Sequence, residues 1–71
     1  MRFVARISFE EYDADARYFP GGMESEPVAT WEDANNILSE FAQTTLAYWR
    51  EAKEQGHQFR LNDYGIREVE E

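Results

Sequence analysis

Residues 30–56 carry apolar side chains at the three- and four-residue spacing of an amphipathic α-helix. Thr30 precedes this stretch and suits the N-cap position, and Gly56 follows it and suits the left-handed conformation that ends a helix. Such a helix is about 37 Å long at ~1.5 Å per residue, which is long for a chain of 71 residues. Its apolar positions are Trp31, Ala34, Ile37, Leu38, Phe41, Ala42, Leu46, Trp49 and Ala52.

The segments on either side of the helix have strand character. Residues 2–9 alternate apolar and polar side chains with a period of two, and this pattern predicts a half-buried strand that continues toward Tyr12. Residues 17–19 are interpreted as a short second strand that Pro20 ends, with a loop over 20–29. After Gly56 we predict two strands, near 58–62 and 65–69, joined by a turn over 62–65. A single bent strand is the alternative for 58–69.

These elements predict one α+β domain over 1–71, in the order β-β-α-β-β. The long amphipathic helix packs across one face of a small antiparallel sheet, and part of the helix is expected to overhang it. The predicted core brings together these strand and helix residues: Phe3, Ile7, Phe9, Phe59, Leu61 and Ile66 with Ile37, Leu38, Phe41, Leu46 and Trp49.

The size and composition of the chain limit how it is stabilised. Cys is absent, which excludes disulfides and cysteine-ligated zinc and leaves core packing or association with another chain. Arg2 and Arg6 interrupt the first residues before an apolar run can form, so we expect no signal peptide. No stretch reaches the ~18 apolar residues of a membrane span. The expected location is the cytoplasm.

The charge of the chain is strongly negative. Fifteen acidic against seven basic residues give a net charge of −8, which argues against direct binding to nucleic acid or to an anionic membrane. Residues 10–33 hold eight carboxylates against Arg17 alone. The acidity is therefore concentrated in the first half of the chain.

Motifs that would carry catalysis or hold a metal are missing. His57 is the only histidine, and we interpret it as a surface or helix-capping residue. Asp13 and Asp15 lack the further ligands and spacing of a calcium loop, and the Gly21-Gly22 pair lacks the Lys and Ser or Thr of a phosphate loop. We therefore expect no enzyme activity, no cofactor and no metal.

The acidic and aromatic residues together point to a protein-binding surface. Tyr and Trp are enriched at binding hot spots, and carboxylates on turns and at the helix start are complementary to a basic partner. The bland alternative is that the charge only keeps a small domain soluble. The residues predicted to bind the partner are Glu10, Glu11, Asp13, Asp15, Glu24, Glu26, Glu32, Asp33, Tyr12, Tyr18 and Tyr48.

The acidic set from Glu10 to Asp33 and the Thr30–Gly56 helix resemble the small inhibitor proteins encoded by phages, such as anti-CRISPR and other anti-defence proteins. The resemblance is one of overall character without a shared motif, so no residue role carries over. It implies binding to a defence complex at its nucleic-acid-binding surface, as a DNA mimic in the host cytoplasm. The alternative is a homodimeric structural or accessory subunit, similar to an antitoxin, that inhibits nothing.

Overall fold

The computed structural model describes residues 1–70 of the chain. The elements are β1 (Arg2–Tyr12), β2 (Tyr18–Glu24), α1 (Trp31–Glu54) and β3 (Gln58–Val69). The strands form one antiparallel sheet in the order β2-β1-β3, and α1 packs on one face of it. The predicted α+β class is confirmed, but the element order is β-β-α-β rather than β-β-α-β-β.

The final strand corrects the predicted hairpin over residues 62–65. β3 pairs with β1 along its whole length, from Arg2 opposite Val69 to Tyr12 opposite Gln58. The register shifts where Ser8 faces Asp63 and Phe9 faces Leu61, so Asn62 is the extra residue of a β-bulge. The bulge absorbs the break in the alternating pattern without a turn. Gly65 also lacks the positive φ that the predicted turn requires.

The second strand is longer than the sequence predicts. β2 continues through Pro20, Gly21 and Gly22 to Glu24, where we had predicted a loop. β2 is an edge strand, and an edge strand tolerates a proline because only one side of its backbone joins the ladder. Gly21 lies opposite Phe9, and a side chain there would collide with the Phe9 ring, since an added Cβ would lie 2.4 Å from Cε2.

The helix begins and ends as predicted. The Thr30 hydroxyl accepts a 3.1 Å hydrogen bond from the N–H of Asp33. At the other end Gly56 has φ 87°, and the N–H groups of Gly56 and His57 donate to the carbonyls of Lys53 and Ala52. That pair of bonds is a Schellman motif, which satisfies the last helical carbonyls.

The core lies between β1 and the first half of α1. Ala5, Ala34 and Leu38 are its buried centre, and the small alanine side chains let the helix approach the sheet closely. Near the end of the helix, Trp49 stacks on Phe59 at 5.1 Å between ring centroids. Leu46 and Leu61, which we had placed in the core, are 51% and 50% exposed, because they lie beside the open edge of β3.

α1 runs in the same direction as β1, since Ala34 and Leu38 pack on Ala5 while Tyr48 bonds to Glu11. The molecule is elongated, with extents of 43 × 18 × 13 Å. We call the end that holds the β1–β2 turn and the end of α1 the hairpin end. The end that holds Ser25–Thr30 and the start of α1 is the N-cap end. Within residues 1–70, no helix is both long and apolar enough to cross a membrane.

Candidate functional site: the Glu11 groove

The most unusual residue of the sheet is Glu11, near the end of β1. Phe3, Ala5, Ile7 and Phe9 precede it at every second position, so the alternation of the strand turns Glu11 toward the helix as well. Glu11 is only 6% exposed. A buried carboxylate is costly unless hydrogen bonds satisfy it, so its partners define the site.

Two side chains from distant parts of the chain donate to the Glu11 carboxylate. The Tyr48 hydroxyl donates to Oε1 at 2.6 Å, and His57 Nδ1 lies 2.6 Å from Oε2. With Glu11 ionised, both of its oxygens are acceptors, so His57 carries its proton on Nδ1. Short bonds to a charged acceptor are stronger than bonds between neutral groups. The three residues therefore form one locked cluster.

The local structure explains how the two donors reach Glu11. Tyr48 lies on the helix where α1 passes the end of β1, and His57 follows Gly56 in the Schellman motif. The left-handed conformation of Gly56 turns the chain back toward the sheet directly after the helix. The helix-ending signal at Gly56 thus also positions the only histidine against the buried carboxylate.

The electrostatics of the cluster favour a neutral phenol. The hydrogen bond to Glu11 raises the pKa of Tyr48, and partial burial and the negative charge of Glu11 raise it further. Each of these effects disfavours the phenolate beside a carboxylate. Tyr48 therefore remains a hydrogen-bond donor to Glu11 throughout the neutral range.

An open groove of about 470 Å³ lies over this cluster. We call it the Glu11 groove, and its lining residues are Phe9, Glu11, Phe19, Pro20, Gly21, Tyr48 and His57. Glu11 is the only carboxylate among them, and the rest of the wall is mainly aromatic and apolar. These lining residues include no serine, threonine, cysteine or lysine to act as a nucleophile. A buried carboxylate between aromatic and apolar walls is an arrangement that can hold a cation.

The residues predicted to bind a partner fall into two groups. Seven lie at or near the hairpin end: Glu10, Glu11, Tyr12, Asp13, Asp15, Tyr18 and Tyr48. The other four surround the N-cap end: Glu24, Glu26, Glu32 and Asp33. Glu24 lies opposite Arg6 in the sheet, and Arg6 is six residues along β1 from Tyr12. The two groups therefore lie ~20 Å apart at ~3.3 Å per residue. The fold does not bring all eleven residues to one surface.

Within the hairpin-end group the residues have different environments. Asp13 Oδ1 accepts 2.9 Å bonds from the N–H groups of Asp15 and Arg17, so this carboxylate holds the β1–β2 turn. The rings of Tyr12 and Tyr18 lie 5.7 Å apart, on the face of the sheet away from the helix. Glu10 lies on that outer face too, while Glu11 is accessible only through the groove.

The four carboxylates at the N-cap end are exposed, and backbone hydrogen bonds hold the loop that leads to them. The N–H of Ser25 donates to the carbonyl of Ala5, and Phe3 and Val28 exchange two bonds. These bonds fix the connection from β2 to α1 along the edge of β1. Each of the four carboxylates is exposed, and no ion pair between described residues involves them.

Sequence reasoning missed the role of His57, which we had interpreted as a surface or capping residue. Two signals in the sequence point to it. The alternation of β1 turns position 11 toward the helix, and Gly56 turns the next residue back toward the sheet. These signals turn Glu11 and His57 toward each other, and the packing of the helix on the sheet sets their distance.

A second surface lies on the β3 side of the helix. Leu46, Leu61 and Tyr64 are about half-exposed and border an apolar cavity of about 170 Å³. Beneath them, Thr45 Oγ1 and Trp49 Nε1 are buried without a hydrogen-bond partner in the described structure. An unsatisfied buried polar group is destabilising, so this surface is incompletely packed in the isolated chain.

Among residues 1–70, no three His, Asp or Glu side chains are grouped closely enough to hold a metal ion. Comparisons of the chain with protein-family models, with curated proteins and with solved structures found no match.

Proposed function

We propose that this chain is an acidic protein-binding inhibitor that occupies a basic, nucleic-acid-binding surface of a partner complex. On the resemblance described above, the partner is a defence complex such as a CRISPR effector, and the inhibitor is of the phage-encoded type, acting in the host cytoplasm. The proposal assigns the chain no catalytic activity and no cofactor.

The exposed carboxylates of the N-cap end carry this proposal. Glu24, Glu26, Glu32 and Asp33 are exposed, and none of the ion pairs within residues 1–70 uses them. Carboxylates without an ion pair among the described residues remain available to the lysine and arginine side chains of a partner. The backbone bonds of Ser25 and Val28 hold the loop in place, which lowers the entropy lost on binding.

The hairpin end supports the proposal with apolar anchors. Tyr18, Phe19 and Tyr48 are about half-exposed there, and aromatic side chains of this kind supply much of the affinity of protein interfaces. The two acidic groups lie ~20 Å apart on a molecule 43 Å long. An elongated arrangement of this kind is compatible with a basic surface that normally follows a nucleic-acid backbone.

The experiment separates a specific acidic surface from a general effect of net charge. The triple variant E24K/E26K/E32K reverses three carboxylates of the N-cap end. The matched control E40K/E51K/E54K changes the net charge equally at exposed positions along α1. Tagged wild-type and variant proteins are used to capture a partner from bacterial lysate, and bound complexes are eluted with a salt gradient.

The proposal predicts that wild-type protein captures a nucleic-acid-binding complex and displaces its nucleic acid. The N-cap variant loses this binding while keeping its circular dichroism spectrum, and the control variant retains most of it. An equal loss of binding in both variants would assign the effect to net charge alone. Recovery of the protein by itself would remove the support for inhibition.

A second candidate is a homodimeric accessory subunit, and the free edge of β3 favours it. β2 carries Pro20 on the other edge of the sheet, whereas all twelve residues of β3 have an unpaired outer side within the described structure. If two copies pair antiparallel with Gly65 at the centre, Asp63 of one copy faces Arg67 of the other on the same side of the sheet. Tyr64 then faces Ile66 on the helix side. Cross-strand pairs of these kinds are stabilising.

Light scattering over a range of protein concentrations tests the dimer. The variant R67D places like charges at both predicted cross-strand pairs and is expected to shift the protein to monomer. The double variant D63R/R67D restores the cross-strand complementarity and is expected to restore the dimer in part, because it also replaces the 3.5 Å ion pair between Arg6 and Asp63. A wild-type protein that stays monomeric up to millimolar concentration would exclude this candidate.

A further inference from the structure

We infer that the Glu11 groove is a binding site for the side chain of a lysine residue of the partner. This inference rests on the proposed function, because it presumes a basic partner surface, and it identifies one residue type on that surface. The argument uses the charge of the groove, its walls and the bonds already made by Glu11.

The charge of the groove is complementary to a cation. The Glu11 side chain is 8% exposed, and no lysine or arginine lines the groove of the described structure. In its neutral form with the proton on Nδ1, His57 donates to Oε2 without cancelling the carboxylate charge. Salt screens a partly buried carboxylate less than it screens a surface carboxylate. A cation that enters the groove therefore meets a charge that is preorganised and weakly screened.

The walls of the groove are suited to a long side chain with an alkyl stem. Phe9, Phe19 and Tyr48 contribute aromatic surface, and Pro20 adds an apolar face. The alkyl stem of lysine packs along such surface while its charged end reaches a polar group. An ammonium near an aromatic face also gains a cation–π interaction. A groove of about 470 Å³ is large enough for one such side chain.

The existing hydrogen bonds select lysine over arginine. Arginine binds a carboxylate best through two parallel bonds, one to each oxygen. Here Oε1 already accepts from Tyr48 and Oε2 from His57, both at 2.6 Å, so an arginine fork would have to share both oxygens with bonds already made. The ammonium of lysine acts as a point charge with freely rotating donors. It needs only the remaining lone pair of one oxygen.

The test is an NMR titration of ¹⁵N-labelled protein, which needs no partner complex. The ligand is Nα-acetyl-lysine N-methylamide, and the comparison ligands are the arginine, Nε-acetyl-lysine and norleucine derivatives. We expect saturable shifts centred on Glu11, Phe19, Tyr48 and His57. The lysine derivative is expected to bind about tenfold tighter than norleucine, which corresponds to ~1.4 kcal/mol, and tighter than arginine.

Two variants with a matched control locate the binding. Glu11→Gln keeps the shape of the side chain but removes its charge, and it is expected to abolish saturable binding. Glu40→Gln makes the same change of net charge at an exposed helix position outside the groove, and is expected to leave binding unchanged. Phe19→Leu removes an exposed aromatic wall without touching the hydrogen bonds, and we expect severalfold weaker binding. It serves as the test if Glu11→Gln does not fold.

The opposite results overturn the inference. Shifts that do not saturate, or that are equal for lysine and norleucine, would show that Glu11 is a structural carboxylate without a ligand. Equal loss of binding in Glu40→Gln and Glu11→Gln would show diffuse attraction by net charge. The proposed function is tested by a different experiment, the capture of a partner by wild-type protein and by the variant of the N-cap end. If the protein binds the lysine derivative but captures no complex, the groove is a lysine-binding site and the proposed function is wrong.

Discussion

The Tyr48 hydroxyl donates a 2.6 Å hydrogen bond to Oε1 of Glu11, which joins the last turns of the helix to the end of the central strand. With His57 bonded to the other oxygen, the carboxylate links β1, α1 and the connection that follows the helix, and it forms the charged base of the groove. The stability of the fold and the proposed binding therefore depend on the same residue.

Replacing Tyr48 with Phe removes this hydrogen bond and keeps the ring. Because the bond is to a charged acceptor but the side chain is half-exposed, we expect a loss of about 1 kcal/mol of unfolding free energy. Urea denaturation at pH 7 measures it. Tyr64→Phe is the control, since no hydrogen bond to its hydroxyl is found among the described residues, and should change stability by less than ~0.5 kcal/mol.

The same bond makes stability depend on alkaline pH. The folded state raises the pKa of Tyr48, so its protonated form is the stabilised one. This contribution is complete below the unfolded pKa of ~10 and is lost as the pH rises through the higher folded pKa. Between pH 9 and 12, wild-type protein should lose more stability than Tyr48→Phe. Parallel curves for the two proteins would contradict the raised pKa.

Glu11 and Glu10 lie on opposite faces of the sheet, so their replacement by alanine should lower the unfolding free energy by different amounts. Glu11→Ala leaves Tyr48 and His57 without their acceptor and opens space beneath the groove, so we expect a loss of about 2–3 kcal/mol. Glu10→Ala is expected to stay within ~0.5 kcal/mol. Equal losses in urea denaturation would show that the buried cluster contributes no more than the solvated carboxylate.

Gly21 lies opposite Phe9 in the sheet, and the Phe9 ring occupies the space that a side chain at position 21 would need. Gly21→Ala places a methyl group 2.4 Å from the Phe9 ring and is expected to cost about 1–3 kcal/mol through overpacking. In the double variant Phe9→Leu/Gly21→Ala the smaller side chain makes room, so the combined loss should be less than the sum of the single losses. Additive losses in a double-mutant cycle would show that the two positions do not interact.

Thr45 carries a buried hydroxyl without a partner within residues 1–70. Thr45→Val has the same shape without the polar group and is expected to raise the unfolding free energy by about 1 kcal/mol. If this surface binds a second chain that accepts from Thr45, the variant should instead weaken the dimer in light scattering. A loss of stability in the monomer would show that the hydroxyl has a hydrogen-bond partner.

Local rules predicted the helix and the central strand. Thr30 and Gly56 are strong signals because their capping bonds depend only on neighbouring residues, and the alternation of β1 depends only on one buried face. The extent of β2 and β3 could not be predicted in this way. Pro20 is compatible with a strand only at an edge, and Asn62 is a bulge only because β1 is long enough to pair on both sides of it.

The sequence analysis named Glu11 and Tyr48 among its candidate binding residues, but it did not predict that both contact one another beside His57. The sequence identified the acidic and aromatic residue types, and Tyr48 is 45% exposed. The predicted binding residues separate into two groups because of the direction in which the strands run. The residue types alone do not predict that direction. Glu11 was grouped with the solvated carboxylates because its burial depends on a helix and a histidine far along the chain.

The central claim is that exposed carboxylates at the N-cap end bind a basic partner surface. The most direct measurement compares the affinity of the captured complex for wild-type protein, E24K/E26K/E32K and E40K/E51K/E54K at two salt concentrations. The account predicts that only the N-cap variant loses binding, and that wild-type affinity falls steeply with salt while nucleic acid competes. Equal affinity for the two variants, or binding alongside nucleic acid without competition, would contradict it.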